Sequence, residues 1–291
     1  MEEAPLQGRS CLVTGATSGL GQETALGLAR LGAHVILVGR SASRGERARA
    51  EVAGRSGNPR VDLLVADLSV QAGVRRLAAE VLERTPRLHV LVNNAGVVNL
   101  SRTVTADGLE TTFAVNHLAY FLLANLLLPR LAEGAPARIV NVASDAHRFG
   151  RLDLDDLQSE RAYRALPVLG AMRVYSMTKL ANLLFTEELA RRVKDRGVTV
   201  NAVHPGFVRS RLGENNGSVA RAVLLLLRPF ALSPARGAET SIHVASAPEL
   251  EGVTGRYFVR KREATPSGAA RDRTLARKLW DESARLTGLG S

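Results

Sequence analysis

The stretch SCLVTGATSGLGQETALGLARLG, Ser10 to Gly32, decides the fold. Its first residues, Ser10 to Gly15, form an apolar run suited to a strand, and a helical pattern runs from Gly21 to Leu31. Between them lie Gly15, Gly19 and Gly21, spaced G-x-x-x-G-x-G, with Thr17, Ser18 and Leu20 in the same turn. Glycine in a strand-to-helix turn lets backbone amides approach a pyrophosphate, and the helix amino end adds partial positive charge. Glycines also serve tight turns in any α/β protein. The position after a first strand and at the start of a helix is what makes a dinucleotide site credible.

Outward from this turn the pattern repeats. Apolar runs suited to strands occur at Ser10 to Gly15, His34 to Gly39, Val61 to Ala66, Leu88 to Asn93, Ala137 to Ala143 and Val198 to Val203, with a shorter one at Gly255 to Val259. Helical stretches alternate with them, among them Val70 to Arg84, Leu109 to Leu131 and Val174 to Arg196. Near-continuous apolar strands alternating with helices indicate a parallel sheet covered on both faces. The expected fold is therefore α/β: a single doubly wound Rossmann-type domain over residues 1–291, with about seven strands and helices on both faces of a mostly parallel sheet. Two segments exceed tight βα spacing: an insert at 145–173 and a segment at 206–234. The latter contains AVLLLLRPFAL and is expected to cover a substrate, although core packing explains its apolar character equally well.

Bulk composition narrows the classes. A chain of 291 residues that is 45% hydrophobic can bury a sizeable core. The single cysteine, Cys11, excludes an internal disulfide framework and a cysteine-based zinc cluster. The net charge of +11 invites a nucleic-acid or anionic-membrane reading, but arginines are scattered through every segment and no nucleic-acid module is present. No basic and apolar leader opens the chain, and the longest strongly apolar run, Ala222 to Leu227, is far short of the ~20 residues of a spanning helix. A soluble, cytoplasmic protein is expected, without stable membrane insertion; peripheral membrane contact is compatible with the apolar segment. His117, His147 and His204 form no metal-ligand spacing and read as packing or hydrogen-bonding residues, so no metal site is expected.

The second strand ends in LVGRSASR, which presents Arg40 and Ser41 where an acid would bind the adenosine ribose hydroxyls of NAD. An arginine there suits a 2′-phosphate, which favours NADP over NAD. Asp67, followed by Leu68, ends the third strand and is placed to accept from an adenine amine. Ligands of open α/β sheets bind at the carboxyl ends of strands. There the chain presents Asn93 and Ala95 in NNAG, Ser144 in VNVASDAH, and Pro205, Gly206, Val208 and Ser210 in HPGFVRS. Tyr175 and Lys179 stand four residues apart in YSMTK, hence on one helix face about 5–6 Å apart at Cβ. An ammonium beside a phenol favours phenolate, so Lys179 is expected to lower the proton affinity of Tyr175.

Taken in order, T-G-x-x-x-G-x-G from Thr14, N-N-A-G from Asn93, Ser144 after the fifth strand and Y-x-x-x-K from Tyr175 resemble the short-chain dehydrogenase/reductase family over about Ser10 to Trp280. Within it the chain is similar to the retinol dehydrogenase group, in the insert DLDDLQSERAYRALP, in YSMTKLANLLFTEEL, in GVTVNAVHPGFVRSRL and in the tail SGAARDRTLARKLWDESARLTGL. It departs from that group in lacking the N-terminal membrane anchor of many animal members, and in Ser210, where many members have a threonine against the nicotinamide amide. The resemblance implies an NADP(H)-dependent oxidoreductase that interconverts an apolar aldehyde or ketone and its alcohol, with NAD as the alternative cofactor. Tyr175 is then the general acid and base, Lys179 tunes it and binds the nicotinamide ribose, Ser144 binds the substrate oxygen, and Asn116 in AVNHLAY holds a relay water. Family members often pair through the helices of Asn116 and Tyr175, so a homodimer or homotetramer is expected. Two other classes fit part of the pattern: a dinucleotide-binding sensor without turnover, and an NAD-dependent epimerase or dehydratase using the same Tyr and Lys.

Overall fold

The structure, a computed structural model, describes residues 4–164, 167–209 and 231–290. Strands β1 (Ser10–Thr14), β2 (His34–Gly39), β3 (Val61–Val65), β4 (Val90–Asn93), β5 (Ala137–Val142), β6 (Val198–His204), β7 (Tyr257–Val259) and β8 (Arg262–Glu263) form one sheet in the order β3-β2-β1-β4-β5-β6-β7-β8. Every pairing is parallel except β7 with β8, where two exposed charged residues fold back along the edge. The expected parallel sheet is thus present, with β8 as an added antiparallel edge. Strand order reverses beside β1 and β4, which opens a crevice at their carboxyl ends.

The period of two explains why both faces are apolar. Leu12 of β1 faces one core, whereas Cys11 and Val13 face the other, and Ile36 and Val38 of β2 alternate with Val35 and Leu37 in the same way. Helices α3 (Gln71–Arg84), α4 (Thr111–Glu133) and α5 (Pro167–Arg192) cover the first face through Leu77, Leu122 and Phe185. On the other face, α1 (Gly19–Arg30), α2 (Ala42–Ser56) and α6 (Pro234–Ser246) bury Leu26, Val52 and Val244. The C-terminal α7 (Arg273–Thr287) docks on α4 and α5: Trp280 meets Phe121 edge-on at 4.8 Å and stacks on Phe185 at 6.0 Å, while the Arg192 guanidinium lies 4.2 Å from its ring centroid.

Three departures from the expected pattern bear on the site. Helix α5 begins at Pro167 rather than Val174, a residue type pre-organised for a first helical position. The insert is not a bare loop: it carries short 3-10 turns at Asp145–Phe149, Leu154–Asp156 and Ala162–Arg164. Helix α4 contains a π turn at Ala114–Leu118. By length and composition α4 is apolar enough to cross a membrane, but 78% of its apolar window is buried inside the protein, as befits a core helix. The apolar run Ala222 to Leu227 lies outside the described residues.

Candidate active site

The turn after β1 is shaped by exclusion. Gly15 has φ +65°, and a Cβ on it would lie 2.8 Å from the Cα of Ala95. A Cβ on Gly21 would lie 2.4 Å from both the Gly15 carbonyl and the Asn94 amide nitrogen. Any side chain at either position therefore collides with backbone that cannot retreat. The neighbouring NNAG segment holds the turn in place: Asn94 Nδ2 donates to the Thr14 carbonyl at 2.8 Å, and the amides of Asn94 and Ala95 donate to Thr14 Oγ1 at 2.9 and 3.1 Å. Thr14 and Asn94 were not among the residues singled out in the sequence, although both sit inside the two motifs that were.

Gly19 opens α1, and Leu20 follows it. Ser18 is the N-cap in extended conformation, its side chain makes no capping hydrogen bond, and the first turn carries no acid. The amino end of α1 thus keeps unanswered N–H groups beside the glycine turn, where an anionic group binds best. The buried Gln22 Nε2 also lacks a partner among the described residues. A cradle that rejects any Cβ, next to an uncapped helix amino end, fits a pyrophosphate.

The remaining described dinucleotide candidates lie at or just after the carboxyl ends of β2, β3, β4 and β6. Arg40 is exposed just after β2, with no carboxylate at ion-pair distance among the described residues, and Ser41 caps α2 by accepting from the Arg44 amide. Asp67 commits Oδ1 to the amide and hydroxyl of Ser69 at 2.9 and 2.7 Å, beside the half-buried Leu68. Asn93 is buried; its Nδ2 donates to Asn141 Oδ1 at 2.9 Å and its own Oδ1 has no partner among the described residues. The Ala95 carbonyl accepts from the Tyr120 hydroxyl at 2.8 Å. After β6, Pro205 and Gly206 lead to Val208, which bridges to Leu232. Ser210 lies outside the described residues.

At the other end of the crevice, β5 delivers Ser144 and α5 delivers Tyr175 and Lys179. The Ser144 hydroxyl accepts from the Ala146 amide at 3.2 Å, and its side chain lowers the proton affinity of the Tyr175 phenol beside it. Lys179 is buried, with Nζ donating to the Val142 carbonyl at 2.9 Å and standing 5.5 Å from the Tyr175 ring centroid. Burial pushes the Tyr175 phenol up to about 12, against that lowering effect of Ser144. Burial also pulls the Lys179 ammonium down to about 7. The expected depression of Tyr175 by Lys179 is thus not what the protein alone displays, because burial is the leading cause at both groups, raising the phenol and lowering the ammonium.

Asn116 stands in the π turn, wholly buried. Its Oδ1 accepts from the Val97 amide at 2.8 Å; its Nδ2 donates to the Val97 carbonyl at 3.0 Å and to Thr178 Oγ1 at 3.2 Å. Thr178 in turn donates to the Tyr175 carbonyl at 2.8 Å. Asn116 therefore ties the strand after β4 to the helix of Tyr175, and the extra residue of a π turn, common at functional sites, is what aligns it. The structure brings Asn116, Ser144, Tyr175 and Lys179 together around one crevice. It adds Val142, whose carbonyl holds Lys179, and Asn182, whose Nδ2 reaches the same carbonyl at 3.5 Å.

Over most of its length the chain is similar to known proteins of one family. The profile of the short chain dehydrogenase family matches residues 9–153 and 166–219. Mouse retinol dehydrogenase 14 is 43% identical over 302 residues, spanning 98% of this chain and 87% of its own. An uncharacterized protein of Mycobacterium paratuberculosis superposes with a TM-score of 0.77 at 34% identity, covering 97% of this chain and 94% of its own. Pseudomonas aeruginosa RhlG in its NADP active-site complex superposes with a TM-score of 0.69 at 26% identity, covering 93% and 100%.

Proposed function

This chain belongs to the short-chain dehydrogenase family and is an oxidoreductase of the retinol dehydrogenase-like kind that binds a nicotinamide dinucleotide; from that premise we propose that it uses NADP(H) to interconvert an apolar aldehyde or ketone and its alcohol. The observation that carries the proposal is the buried Lys179 ammonium, held by the Val142 carbonyl, 5.5 Å from the Tyr175 ring, with Ser144 at the end of β5 beside that phenol. Gly15, Gly21 and the amino end of α1 would hold the pyrophosphate, Lys179 the nicotinamide ribose, and Arg40 the 2′-phosphate. The dinucleotide, when bound, supplies or accepts the hydride. In reduction Tyr175 donates its phenolic proton to the carbonyl oxygen; a phenol pushed up to about 12 is fully protonated at neutral pH and ready to act as that acid. Ser144 supports the same oxygen as charge builds on it. Asn116 keeps α5 in register with the end of β4.

Three observations support the finer choices. Position 40 carries a guanidinium and not an acid, and the structural relative RhlG is described with NADP. Large apolar side chains lie exposed in three segments at this end of the sheet: Phe149 beyond Ser144, Val168, Leu169 and Met172 on the helix leading to Tyr175, and Phe207 and Leu232 beyond β6. Such a rim suits an apolar substrate. The segment 206–234 is proposed as its cover, and a soluble, cytoplasmic protein assembling as a homodimer or homotetramer belongs to the same proposal. After β6 the described chain is spent on α6, β7, β8 and α7, all packed on the one sheet, which leaves no second domain of the epimerase type among the described residues.

The test is consumption of NADPH, with NADH in parallel, against a panel of apolar aldehydes and ketones including retinal, with Tyr175→Phe as control. NADPH-dependent turnover that Tyr175→Phe abolishes is the expected result. A strong preference for NADH overturns the role of Arg40, and NADPH binding without turnover across the panel moves the protein to the sensor class.

A further inference from the structure

The turn that follows Ser144 holds a cluster of titratable groups that the proposed chemistry does not use. His147 is completely buried in it. Its Nδ1 lies 2.8 Å from the Ser144 carbonyl, and its Nε2 lies 3.1 Å from the backbone amide of Ser267. A carbonyl only accepts and a backbone amide only donates, so these two partners fix the tautomer: the proton is on Nδ1, and Nε2 is a bare acceptor. The imidazole therefore clips the C-terminal loop to Ser144. Arg148 adds a second clip, donating from Nη2 to the Thr265 carbonyl at 2.9 Å.

His204, on β6, shows the same logic with a different balance. The Asp145 amide donates to its Nδ1 at 3.3 Å, which puts its proton on Nε2, facing Asp145 Oδ2 at 3.5 Å. A carboxylate that welcomes charge thus stands against His204. His147 meets only a carbonyl and an amide at its two nitrogens. The charged and titratable groups around it are Asp145 and Arg148 on its own turn, His204 on β6 with Arg260 beyond it, and Tyr257 edge-on from β7 at 5.3 Å. The Tyr257 hydroxyl is turned away, donating to Asp145 Oδ1 at 3.0 Å.

The geometry points to His147 as a positioning residue for the reaction: in its Nδ1–H form it holds the Ser144 carbonyl, and with it the hydroxyl proposed to bind the substrate oxygen, against a loop anchored by the Ser267 amide. The inference rests on the proposed Tyr175 and Ser144 chemistry for its catalytic consequence, but the clamp itself can be observed without turnover. A proton on Nε2 would set donor against donor at Ser267, so the clamp opens when His147 becomes charged. Burial holds its proton affinity below the ordinary histidine range. The charged form is thus disfavoured in the folded protein, and the clamp is intact above that range and lost as pH falls through the lowered value.

The experiment uses the full chain labelled with 15N histidine. Ring nitrogen spectra and exchange of the Ser267 amide are followed as pH is lowered, and NADPH-dependent reduction of nonanal is measured in parallel for wild type, His147→Asn and His147→Phe. A His147 ring protonated on Nδ1 is expected, with protection at Ser267 lost at the pH where the ring titrates. His147→Asn keeps a donor for the Ser144 carbonyl and cannot titrate in this range; it is expected to retain kcat within about threefold and to lose the acid limb that wild type shows at the ring's midpoint. His147→Phe removes the donor, and kcat is expected to fall about tenfold or more with KM for NADPH within about twofold. A proton on Nε2, Ser267 protection indifferent to the titration, an acid limb unchanged in His147→Asn, or undiminished kcat in a folded His147→Phe would each overturn the inference. Absence of turnover in wild type counts against the proposed function instead, while the ring and amide measurements still decide the clamp.

Discussion

The two ends of the crevice are built by opposite means. At the phosphate end the functional surface is backbone, and what matters is which atoms are missing: Gly15 and Gly21 are places where a single added carbon strikes Ala95 or Asn94. At the chemistry end the functional surface is side chains, each buried and each tied to a carbonyl or amide of a different element: Asn116 to Val97, Lys179 to Val142, His147 to Ser144. The first end is defined by steric limits, the second by solvation and hydrogen bonding. Substitutions at the two ends should therefore fail in different ways.

Tyr175→Phe removes one oxygen and should leave fold and cofactor binding unchanged while lowering kcat about 10²–10⁴-fold, read from steady-state reduction beside NADPH titration. If binding falls together with kcat, the two ends are not separable. Gly21→Ala is the counterpart, an added carbon without lost chemistry: NADPH binding should weaken about a hundredfold and thermal stability should drop by about 2–3 kcal/mol, because backbone on both sides must shift. Wild-type binding in this variant would mean that the pyrophosphate lies elsewhere. Arg40→Ala should be milder, raising KM for NADPH about tenfold while leaving NADH untouched, the loss of one charge-assisted contact. An equal effect on both cofactors would remove the 2′-phosphate from the account.

One expected effect runs against intuition. Lys179→Met should abolish turnover yet stabilise the fold by about 1–3 kcal/mol near neutral pH, because a buried ammonium is exchanged for an apolar chain while the Val142 carbonyl keeps Asn182. The sign follows from proton binding. The unfolded lysine holds its proton to its ordinary value of 10.5, the folded one only to about 7. Between these limits the unfolded state carries more protons, so wild-type stability rises with pH. The gap between variant and wild type should be widest at and below pH 7 and close toward 10.5 in denaturant titrations. A gap that does not vary with pH would show that Lys179 is not held neutral by burial.

What was legible in the sequence follows the same division. The glycine turn could be read because its requirement is local, strand then glycines then helix, and the β1 to β7 runs could be read because both faces of each strand are apolar. Tyr175, Lys179, Ser144 and Asn116 are candidates through motif order alone, since nothing local distinguishes them from surface or core residues. The sign of the Tyr175 shift was not legible: the spacing announces the ammonium and is silent about the water excluded around it. The π turn was equally hidden, because it depends on contacts from Asn116 to Val97 and Thr178, distant in the chain. Helix α2 went unremarked as a helix because its buried side is only Gly45, Ala48 and Val52, too small and sparse to stand out among its arginines. The Tyr163 hydroxyl, donating to the Asn99 carbonyl at 3.2 Å and the buried Glu110 carboxylate at 3.3 Å, pins the insert to α4 through contacts no spacing rule contains.

The two margins of the sheet carry a consequence for the protein in concentrated solution. A parallel sheet that ended at β7 would present a bare ladder of amides and carbonyls, a template on which another chain could add a strand. Here β8 turns back in the opposite direction for only two residues, Arg262 and Glu263, both charged and exposed. At the far margin β3 places Asp62 outward, paired with His34 at 2.8 Å. Strand-on-strand growth is thus blocked at one side by brevity and charge and discouraged at the other by a carboxylate, which leaves helix faces as the surfaces through which copies of this chain can meet without polymerising.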